Sequence, residues 1–493
     1  MARVVVIGAG VGGLAAAVRL AVAGHRVEVF EQAPSVGGKL GRYERSTDAG
    51  TFRFDTGPSL LTLPHVFADL FASAGASLAE ELDLVALDPL VRHVFPDGAR
   101  LDSSADHEVF VARVEAAFGP GAAAQWRALW RRAQRSWEIS WERILRSSVD
   151  SWRTVAGLAW RLDEFAAIAP GRTLRAIGRS YLTEPHLRTM LDRYATYVGS
   201  DPRRAPAALL AVPYAELAHG GWYVRGGLAL LGEALSRLAA SAGVTVHTGA
   251  RVARIETAGG QVAGIRLADG PAVAADVVVA NVDALELYTA LLPRTHRAAR
   301  LRRRSLGGYV LLLGLRGGPT HGLAHHTVFF PDRYDDEFDA LFARPVQPVA
   351  NPAIFITSPD DAAVRPPGHE AWFVLVNAPP QGPAPDGVDW RAPGLAEAYA
   401  DRVLAALARR GVDVRDRVIF REIRTPADLQ QATGSPGGAI YGTPSHGLTG
   451  LLRPPNRGAV RGLFLVGGST HPGGGLPMVA LSAKIVADLI GPL

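Results

Sequence analysis

The chain has 493 residues, of which 48% are hydrophobic and 20% charged, so it can bury a large core divided into two or three domains. Its 52 basic and 47 acidic residues leave a net charge of +5 without a dense basic tail, which argues against nucleic acid as a partner. The absence of cysteine excludes disulfides, thiolate nucleophiles and cysteine-ligated metal sites.

The first predicted elements form one strand–helix–strand unit. Residues 3–7 are a short β-branched run, residues 14–23 have helical composition, and residues 27–31 are predicted to be the second strand. The turn between strand and helix carries Gly8, Gly10 and Gly13 in the spacing G-x-G-x-x-G. These glycines permit the sharp bend, the approach of a pyrophosphate to the backbone and the packing of the helix on the strand, respectively.

Glu31 ends the second strand, where its carboxylate is placed to accept hydrogen bonds from a ribose and to repel a 2′-phosphate. The unit therefore predicts dinucleotide binding, with FAD and NAD as alternatives and NADP disfavoured. Further glycine-containing segments then favour FAD, because they offer backbone along which a longer cofactor could lie. They contain Gly38, Lys39, Gly57, Pro58 and Ser59, and Asp55 is expected to anchor the turn before Gly57.

The stretch from 64 to 220 is predicted to be mostly helical, and residues 125–146 form a distinctive segment within it. Six arginines against two glutamates make this segment basic, and four tryptophans share one helical face: Trp126, Trp130, Trp137 and Trp141. A basic helix with an aromatic stripe fits a membrane interface. A tryptophan-rich helix packed in the core is the alternative.

Short strands are predicted at 243–247, 251–255 and 276–281, and a second set at 309–313, 327–330, 353–357 and 372–376. Between the two sets, the run R-L-R-R-R at 300–304 is either interfacial charge or a solvated helix end. His325 and His326 are adjacent on a strand and have no metal-ligand partner in suitable spacing, so no metal site is predicted.

The C-terminal run contains a second glycine-rich turn, with Gly467 and Gly468, followed by T-H-P-G-G-G-L-P at 470–477 and a helix predicted at 480–490. With F-D-T-G-P-S at 54–59, Y-A-T-Y-V-G-S-D-P at 194–202 and G-G-W-Y-V-R-G-G-L at 220–228, the chain resembles the phytoene desaturase family of FAD-dependent carotenoid desaturases along nearly its whole length. It departs from the family at Gly474, where a small residue such as alanine or serine is usual. The segments 437–442, 445–447 and 467–471 look closer to the hydroxycarotenoid desaturases.

The resemblance implies an α/β, amine-oxidase-like flavoprotein fold. Its discontinuous, Rossmann-like FAD-binding domain would comprise residues 1–64, 226–283 and 453–493, with a helical, membrane-facing insertion at 65–225 and an α+β substrate domain at 284–452. It also implies that the backbone of Val252 contacts adenine, and that a C-terminal turn caps the flavin with Gly467, Gly468, Pro477, Met478 and Val479. The helix that follows would stabilise negative charge on the reduced ring.

The implied activity is introduction of C–C double bonds into a long-chain carotenoid by hydride-like transfer to flavin N5, with a hydroxylated or acyclic carotenoid favoured. Alternatives are phytoene desaturation proper, a related amine oxidase, a carotenoid isomerase or saturase, and a non-enzymatic carrier of prenylated partners. No nucleophile elbow or carboxylate pair stands out, so no catalytic residue is assigned. His471 is a candidate for a proton-transfer role.

A long polyene dissolves in the bilayer core, so the expected partner is a membrane surface from which an apolar tunnel draws the substrate. Oxygen and quinone are both expected electron acceptors. The first strand begins so close to Met1 that no signal peptide is expected, and no apolar stretch reaches the length of a spanning helix. The sequence thus predicts a cytoplasmic protein, peripheral on the inner face of the cell membrane, and does not indicate its oligomeric state.

Overall fold

The computed structural model describes residues 1–149, 167–319, 322–447, 450 and 452–492. Its strands in chain order are β1 (Arg3–Ile7), β2 (Arg26–Phe30), β3 (Arg42–Thr47), β4 (Gly50–Asp55), β5 (Leu61–Thr62), β6 (Leu84–Ala86), β7 (Arg92–Val94), β8 (Arg100–Asp102), β9 (Gly221–Val224), β10 (Thr245–His247), β11 (Val252–Ala258), β12 (Gln261–Leu267), β13 (Ala272–Ala274), β14 (Val277–Ala280), β15 (Gly307–Arg316), β16 (His326–Phe329), β17 (Ile354–Thr357), β18 (His369–Ala378), β19 (Val418–Arg424) and β20 (Leu463–Leu465).

The described α-helices are α1 (Val11–Val22), α2 (Pro64–Ser73), α3 (Leu78–Glu81), α4 (His107–Phe118), α5 (Pro120–Ser140), α6 (Leu174–Tyr181), α7 (Pro185–Arg193), α8 (Ala211–His219), α9 (Ala229–Ser241), α10 (Ala284–Glu286), α11 (Thr295–Leu301), α12 (Asp335–Phe342), α13 (Leu395–Arg409), α14 (Pro426–Thr433) and α15 (Leu476–Ile490). Shorter 3₁₀ and π turns lie at Trp141–Leu145, Tyr194–Val198, Ala207–Leu210, Leu287–Leu291, Arg415–Arg417 and Pro436–Gly438.

A five-stranded parallel sheet in the order β10-β2-β1-β14-β20 brings the two ends of the chain together. The β-branched run of β1 is buried on both faces, as is typical of a central parallel strand. Val4 and Val6 pack on the core formed with α1, α9 and α15, whereas Val5 and Ile7 face a second core formed with β11 and β12. This architecture is the predicted Rossmann-like unit.

The second large sheet has seven strands in the order β19-β15-β18-β17-β16-β7-β8. Its centre is the ten-residue antiparallel pairing of β15 with β18, from Gly307 opposite Ala378 to Arg316 opposite His369. Alternation along β15 sends Tyr309 and every second residue after it into a core with α13, so that the intervening residues face the opposite side.

The predicted insertion at 65–225 is largely helical, but it also contributes strands. β7 pairs in parallel with β16 and extends the seven-stranded sheet, while β9 pairs with β5 and β6. The sequence pattern missed these strands because each has only three or four residues. Residues 150–166 of the predicted helical stretch lie outside the described residues.

The tryptophan stripe runs along α5 into the π turn that follows it, and its rings pack on other aromatic side chains of the protein. The Trp126 ring meets Phe110 edge-on at 5.1 Å, and Trp130 stacks on His107 at 4.5 Å. Trp137 lies 4.9 Å from Trp141 and 5.7 Å from His219. Trp126 and Trp137 are buried and Trp130 and Trp141 are half-buried, so these contacts favour the core-packing alternative. No helix of the described residues is long and apolar enough to cross a bilayer.

Candidate active site

A continuous cavity of about 1870 Å³ runs between the parallel sheet and the seven-stranded sheet. Its lining includes both Gly10, from the N-terminal turn, and Pro477, from the C-terminal turn. Pockets for a single drug-sized ligand span roughly 300–1,000 Å³, so this cavity has room for two large ligands side by side. The two ends of the chain therefore form one site.

Most of the predicted cofactor residues line this cavity: Gly8, Gly10, Glu31, Gly38, Lys39, Gly57, Pro58, Ser59, Val252, Gly467, Gly468, Pro477 and Val479. Gly13 and Met478 do not. Gly13 lies within α1, where an added Cβ would be 2.0 Å from the carbonyl oxygen of Gly8, so its role is to let helix and strand approach closely. Met478 packs instead on the hydrophobic core behind α15.

Two helix N-termini open into the cavity. The helices α1 and α15 pack on each other, and the first turn of each, with Val11 and Leu476, is part of the lining. Neither Gly10 nor Gly475, the residues before these helices, offers a side-chain acceptor to the free N–H groups. Such ends favour bound negative charge, which suits a pyrophosphate at one end and the electron-rich edge of a ring at the other. The helix α15 begins at Leu476, four residues before the predicted start, because Pro477 fits the first turn.

Asn281, at the end of β14, holds the glycine turns together and was missed as a site residue. Its Nδ2 donates to the carbonyl oxygen of Gly8 at 3.3 Å. A Cβ added at Gly12 or at Gly467 would lie only 2.7 Å from its Oδ1. The signal in the sequence was a polar residue at the carboxyl end of a buried parallel strand, where ligands of such sheets bind.

The Glu31 carboxylate is fixed at the cavity wall. Its Oε2 accepts from the Ala9 N–H at 2.7 Å and its Oε1 from the Ala33 N–H at 2.8 Å, and the residue is 8% exposed. Each carboxylate oxygen can accept a further hydrogen bond, so the arrangement leaves acceptors for a ligand hydroxyl. These features fit the dinucleotide half of an FAD.

Lys39 ties the N-terminal turn to the segment before the C-terminal turn. Its Nζ donates to the carbonyl oxygens of Ala439 at 3.0 Å and Ile440 at 2.8 Å, and burial lowers its pKa to about 8. Nearby, Arg304 forms a buried ion pair with Asp283 at 2.6 Å. Arg304 is thus neither interfacial charge nor part of a solvated helix end, and this part of the arginine-run hypothesis is wrong.

His471 does not reach the cavity. Its Nε2 lies 3.0 Å from the carbonyl oxygens of both Ile144 and Ser147, and its own carbonyl oxygen accepts from Asn456 and Ser482. It joins the C-terminal turn to the helical insertion, and this geometry does not support a proton-transfer role.

Asp55 contacts a different segment from the predicted one. Its two oxygens accept from the N–H groups of Leu228 and Ala229, both at 2.8 Å, so it caps α9 instead of anchoring the turn before Gly57. Burial raises its pKa to about 6. No cluster of candidate metal ligands occurs among the described residues, which include His325 and His326.

The ring of Tyr441 explains why this chain has glycine at position 474, where the family usually has alanine or serine. A Cβ on Gly474 would lie 2.4 Å from Cδ1 of the Tyr441 ring, and both residues line the cavity. A tyrosine at 441 therefore requires glycine at 474. The two positions form one packing unit beside the C-terminal turn.

Gly474→Ala is expected to lower both thermal stability and FAD retention, because the ring and the new methyl group cannot occupy the same space. In the double variant with Tyr441→Ala the loss should be smaller than the sum of the single losses, with a coupling of about 0.5–3 kcal/mol. Tyr441→Phe is the matched control, since it keeps the ring and should give no relief. Additive losses in the double variant would contradict this contact.

One part of the cavity, which we call the apolar arm, has an apolar wall supplied by the seven-stranded sheet and its neighbours: Val91, Leu306, Val310, Ala353, Phe355, Phe373, Leu375 and Ile440. Two charged side chains, Arg193 and Glu216, also line it. The Tyr194 hydroxyl donates to Glu216 Oε1 at 2.8 Å. Burial raises the pKa of Glu216 to about 7 despite this bond and the nearby Arg193 charge.

The raised pKa of Glu216 predicts a stability window. Between its ordinary value of 4.5 and about 7, the folded protein keeps a proton that the unfolded chain releases, so stability falls as pH rises through that range. The glutamine of Glu216→Gln does not titrate. The free energy of unfolding of this variant, minus that of the parent, should therefore rise by roughly 3 kcal/mol between pH 4.5 and 7 and then stay level. Glu80→Gln, at an exposed position, is the control for denaturation curves measured at each pH. A pH-independent difference would show that Glu216 titrates normally.

Residues 11–311 match the flavin-containing amine oxidoreductase family. The chain is 35% identical to a hydroxyneurosporene desaturase from Cereibacter sphaeroides, over 99% of this chain and 97% of that protein. It is 33% identical to a 4,4'-diapolycopene oxygenase from Methylomonas sp, over 99% and 98% of the two chains. Among solved structures, an oxidoreductase from Methanosarcina mazei superposes with a TM-score of 0.63 at 17% identity, covering 99% of this chain and 100% of that one.

Proposed function

The chain belongs to the family of flavin-containing amine oxidoreductases, and on that premise we propose that it is an FAD-dependent desaturase that introduces C–C double bonds into a long-chain carotenoid. The observation that carries the proposal is the single cavity that joins the glycine turns to an apolar arm. A compact polar substrate would gain little from such an arm, whereas a polyene buries apolar surface along its length. The two relatives that are named for reactions of carotenoids match this chain over 99% of its length.

FAD is the cofactor, and the residues that would hold it are those of the two turns. Bound FAD supplies the capacity to accept a hydride equivalent from a C–H bond. The chain contributes the free N–H groups of α1 for the pyrophosphate and the Glu31 carboxylate for the ribose. The N-terminus of α15, at Leu476 and Pro477, would favour negative charge on the reduced ring. The walls of the apolar arm exclude water and hold the polyene extended.

The activity is tested with the purified, FAD-loaded protein and an acyclic hydroxycarotenoid under anaerobic conditions. We expect the flavin absorbance to bleach, the carotenoid absorption to move to longer wavelength, and the product mass to fall by two hydrogens per new double bond. Bleaching by an amine, with no carotenoid reacting, would identify an amine oxidase. A product that gains oxygen when air is admitted would identify an oxygenase, and a protein that retains no flavin would overturn the enzymatic proposal.

We also propose that the protein works at a membrane surface on the cytoplasmic side, with oxygen or a quinone as electron acceptor. The support is the chemistry of the substrate, because a long polyene resides in the bilayer and must be collected there. Vesicle flotation tests this: the protein should rise with carotenoid-containing vesicles. If it stays in the lower fractions with and without vesicles, the membrane proposal fails while the enzymatic one stands.

A further inference from the structure

The apolar arm contains a buried guanidinium that lacks an ionic partner. Arg193 ends α7, lines the cavity and is 8% exposed. No carboxylate of the described residues lies within ion-pair distance of it, its Nε has no hydrogen-bond partner, and its polar neighbours are the hydroxyls of Tyr197 and Tyr334. The buried guanidinium of Arg304, by contrast, pairs with the Asp283 carboxylate. A buried charge that faces a cavity without a counter-ion is costly unless something in that cavity satisfies its remaining hydrogen-bond donors.

The guanidinium is held in place by aromatic rings. Its central carbon lies 5.4 Å from the ring centroids of both Tyr197 and Phe355, so cation–π contacts fix its position. Tyr197 and Phe355 line the same arm. The N–H donors of Arg193 are thus preorganised at the cavity wall, and a ligand that accepts from them would not have to order a mobile side chain.

Glu216 completes the donor and acceptor set. It is 4% exposed, and while its Oε1 accepts from Tyr194, its Oε2 accepts no hydrogen bond from a described residue. Glu216 and Arg193 line the same arm without forming an ion pair with each other. The charge of Arg193 acts on Tyr441, whose ring lies beside Gly474, so this polar patch lies close to the C-terminal turn.

We propose that Arg193 and Glu216 form a binding site for a hydroxyl group carried by the polyene substrate. Above pH 7 the Glu216 carboxylate is ionised and can only accept. A hydroxyl can then accept from Arg193 and donate to Glu216, whereas a carbonyl would leave Glu216 without a donor. A pure hydrocarbon would satisfy neither group. The proposal rests on the proposed function, and it makes these two residues the determinants of substrate preference.

The test compares binding of a hydroxylated acyclic carotenoid with binding of the parent hydrocarbon of the same chain length, both delivered in detergent micelles to the FAD-loaded protein. Quenching of tryptophan fluorescence reports Kd with the flavin kept reduced, a state that cannot take hydride from the carotenoid. We expect the parent protein to prefer the hydroxylated compound by about 10- to 100-fold, as hydrogen bonds to charged groups do. Arg193→Met should remove most of this preference while keeping affinity for the hydrocarbon.

Two further variants keep the test decisive. Glu216→Gln keeps an acceptor oxygen and the Tyr194 contact, so it should fold and should lose only part of the preference. Arg410→Met removes another substantially buried arginine, whose guanidinium bonds to Asn351 and Pro352 outside the cavity. It controls for general destabilisation and should keep the full preference.

The outcomes separate this proposal from the proposed function. If both carotenoids bleach the flavin and bind with equal Kd, or if Arg193→Met keeps the preference, the hydroxyl site is overturned and desaturase activity stands. If a carbonyl analogue binds as tightly as the hydroxylated compound at a pH above 7, where Glu216 is ionised, Glu216 has no part in the site and the proposal fails as stated. If no carotenoid bleaches the flavin or binds, the proposed function itself is wrong.

Discussion

Gly13→Ala is expected to abolish stable FAD binding. The added methyl group would lie 2.0 Å from the carbonyl oxygen of Gly8, in a place where both atoms belong to rigid backbone. The helix α1 must therefore move away from β1, and its N–H groups then no longer face the cavity where Gly10 and Val11 place them. We expect the ratio of flavin to protein in the purified variant to fall at least about 10-fold, with an overpacking cost of about 1–3 kcal/mol.

Gly121→Ala is the matched control for this change. Gly121 lies in the first turn of α5, and a Cβ there meets no atom within 4 Å. Alanine is the better helix former, so this variant should bind FAD fully and be more stable by up to about 1 kcal/mol. Full flavin content in Gly13→Ala would contradict the close approach of α1 and β1.

Arg304→Met is expected to destabilise the protein by about 3–5 kcal/mol, because it leaves the Asp283 carboxylate buried without its partner. The side chains of this pair are 8% and 2% exposed, and Asp283 also caps α10 through the N–H of Leu285. The apparent free energy of unfolding, from urea denaturation of the FAD-loaded protein, measures the loss. FAD should dissociate at lower urea concentrations, since Asp283 lines the cofactor cavity.

The double variant with Asp283→Asn should recover part of this loss, since an amide has no uncompensated charge. Arg415→Met is the surface control: Arg415 pairs with Asp413, both half exposed, and its removal should cost at most about 1 kcal/mol. An Arg304→Met variant as stable as Arg415→Met would show that the buried pair is not needed.

The sequence was sufficient to predict the parts of the site that follow local rules. The glycine spacing around Gly10 and the acid at Glu31 act within one strand–helix–strand unit, so their geometry is set by residues close in the chain. Four of the seven strands of the second sheet were also predictable, because β15, β16, β17 and β18 are continuous apolar runs, whereas β7, β8 and β19 were not predicted. Only the ends of the four predicted strands differ from the predicted bounds.

The parts that could not be predicted depend on contacts between distant segments. Asn281 bonds to Gly8 across 273 positions, and Arg193 meets Phe355 from a separate helix. The tryptophan stripe of α5 shows a further limit: its spacing defines a face, but the same face suits a core or a membrane interface. Only the positions of His107, Phe110 and His219 favour the core over the interface.

The pairing of β1 with β14 and of β14 with β20 has a consequence for biosynthesis. Cofactor loading must be a late event, because the strand Leu463–Leu465 and the helix behind it leave the ribosome long after Arg3–Ile7. The nascent chain therefore carries an exposed, half-built nucleotide fold through most of its translation. A chain that is truncated anywhere before residue 463 should therefore bind no flavin, and we expect it to be degraded by proteases.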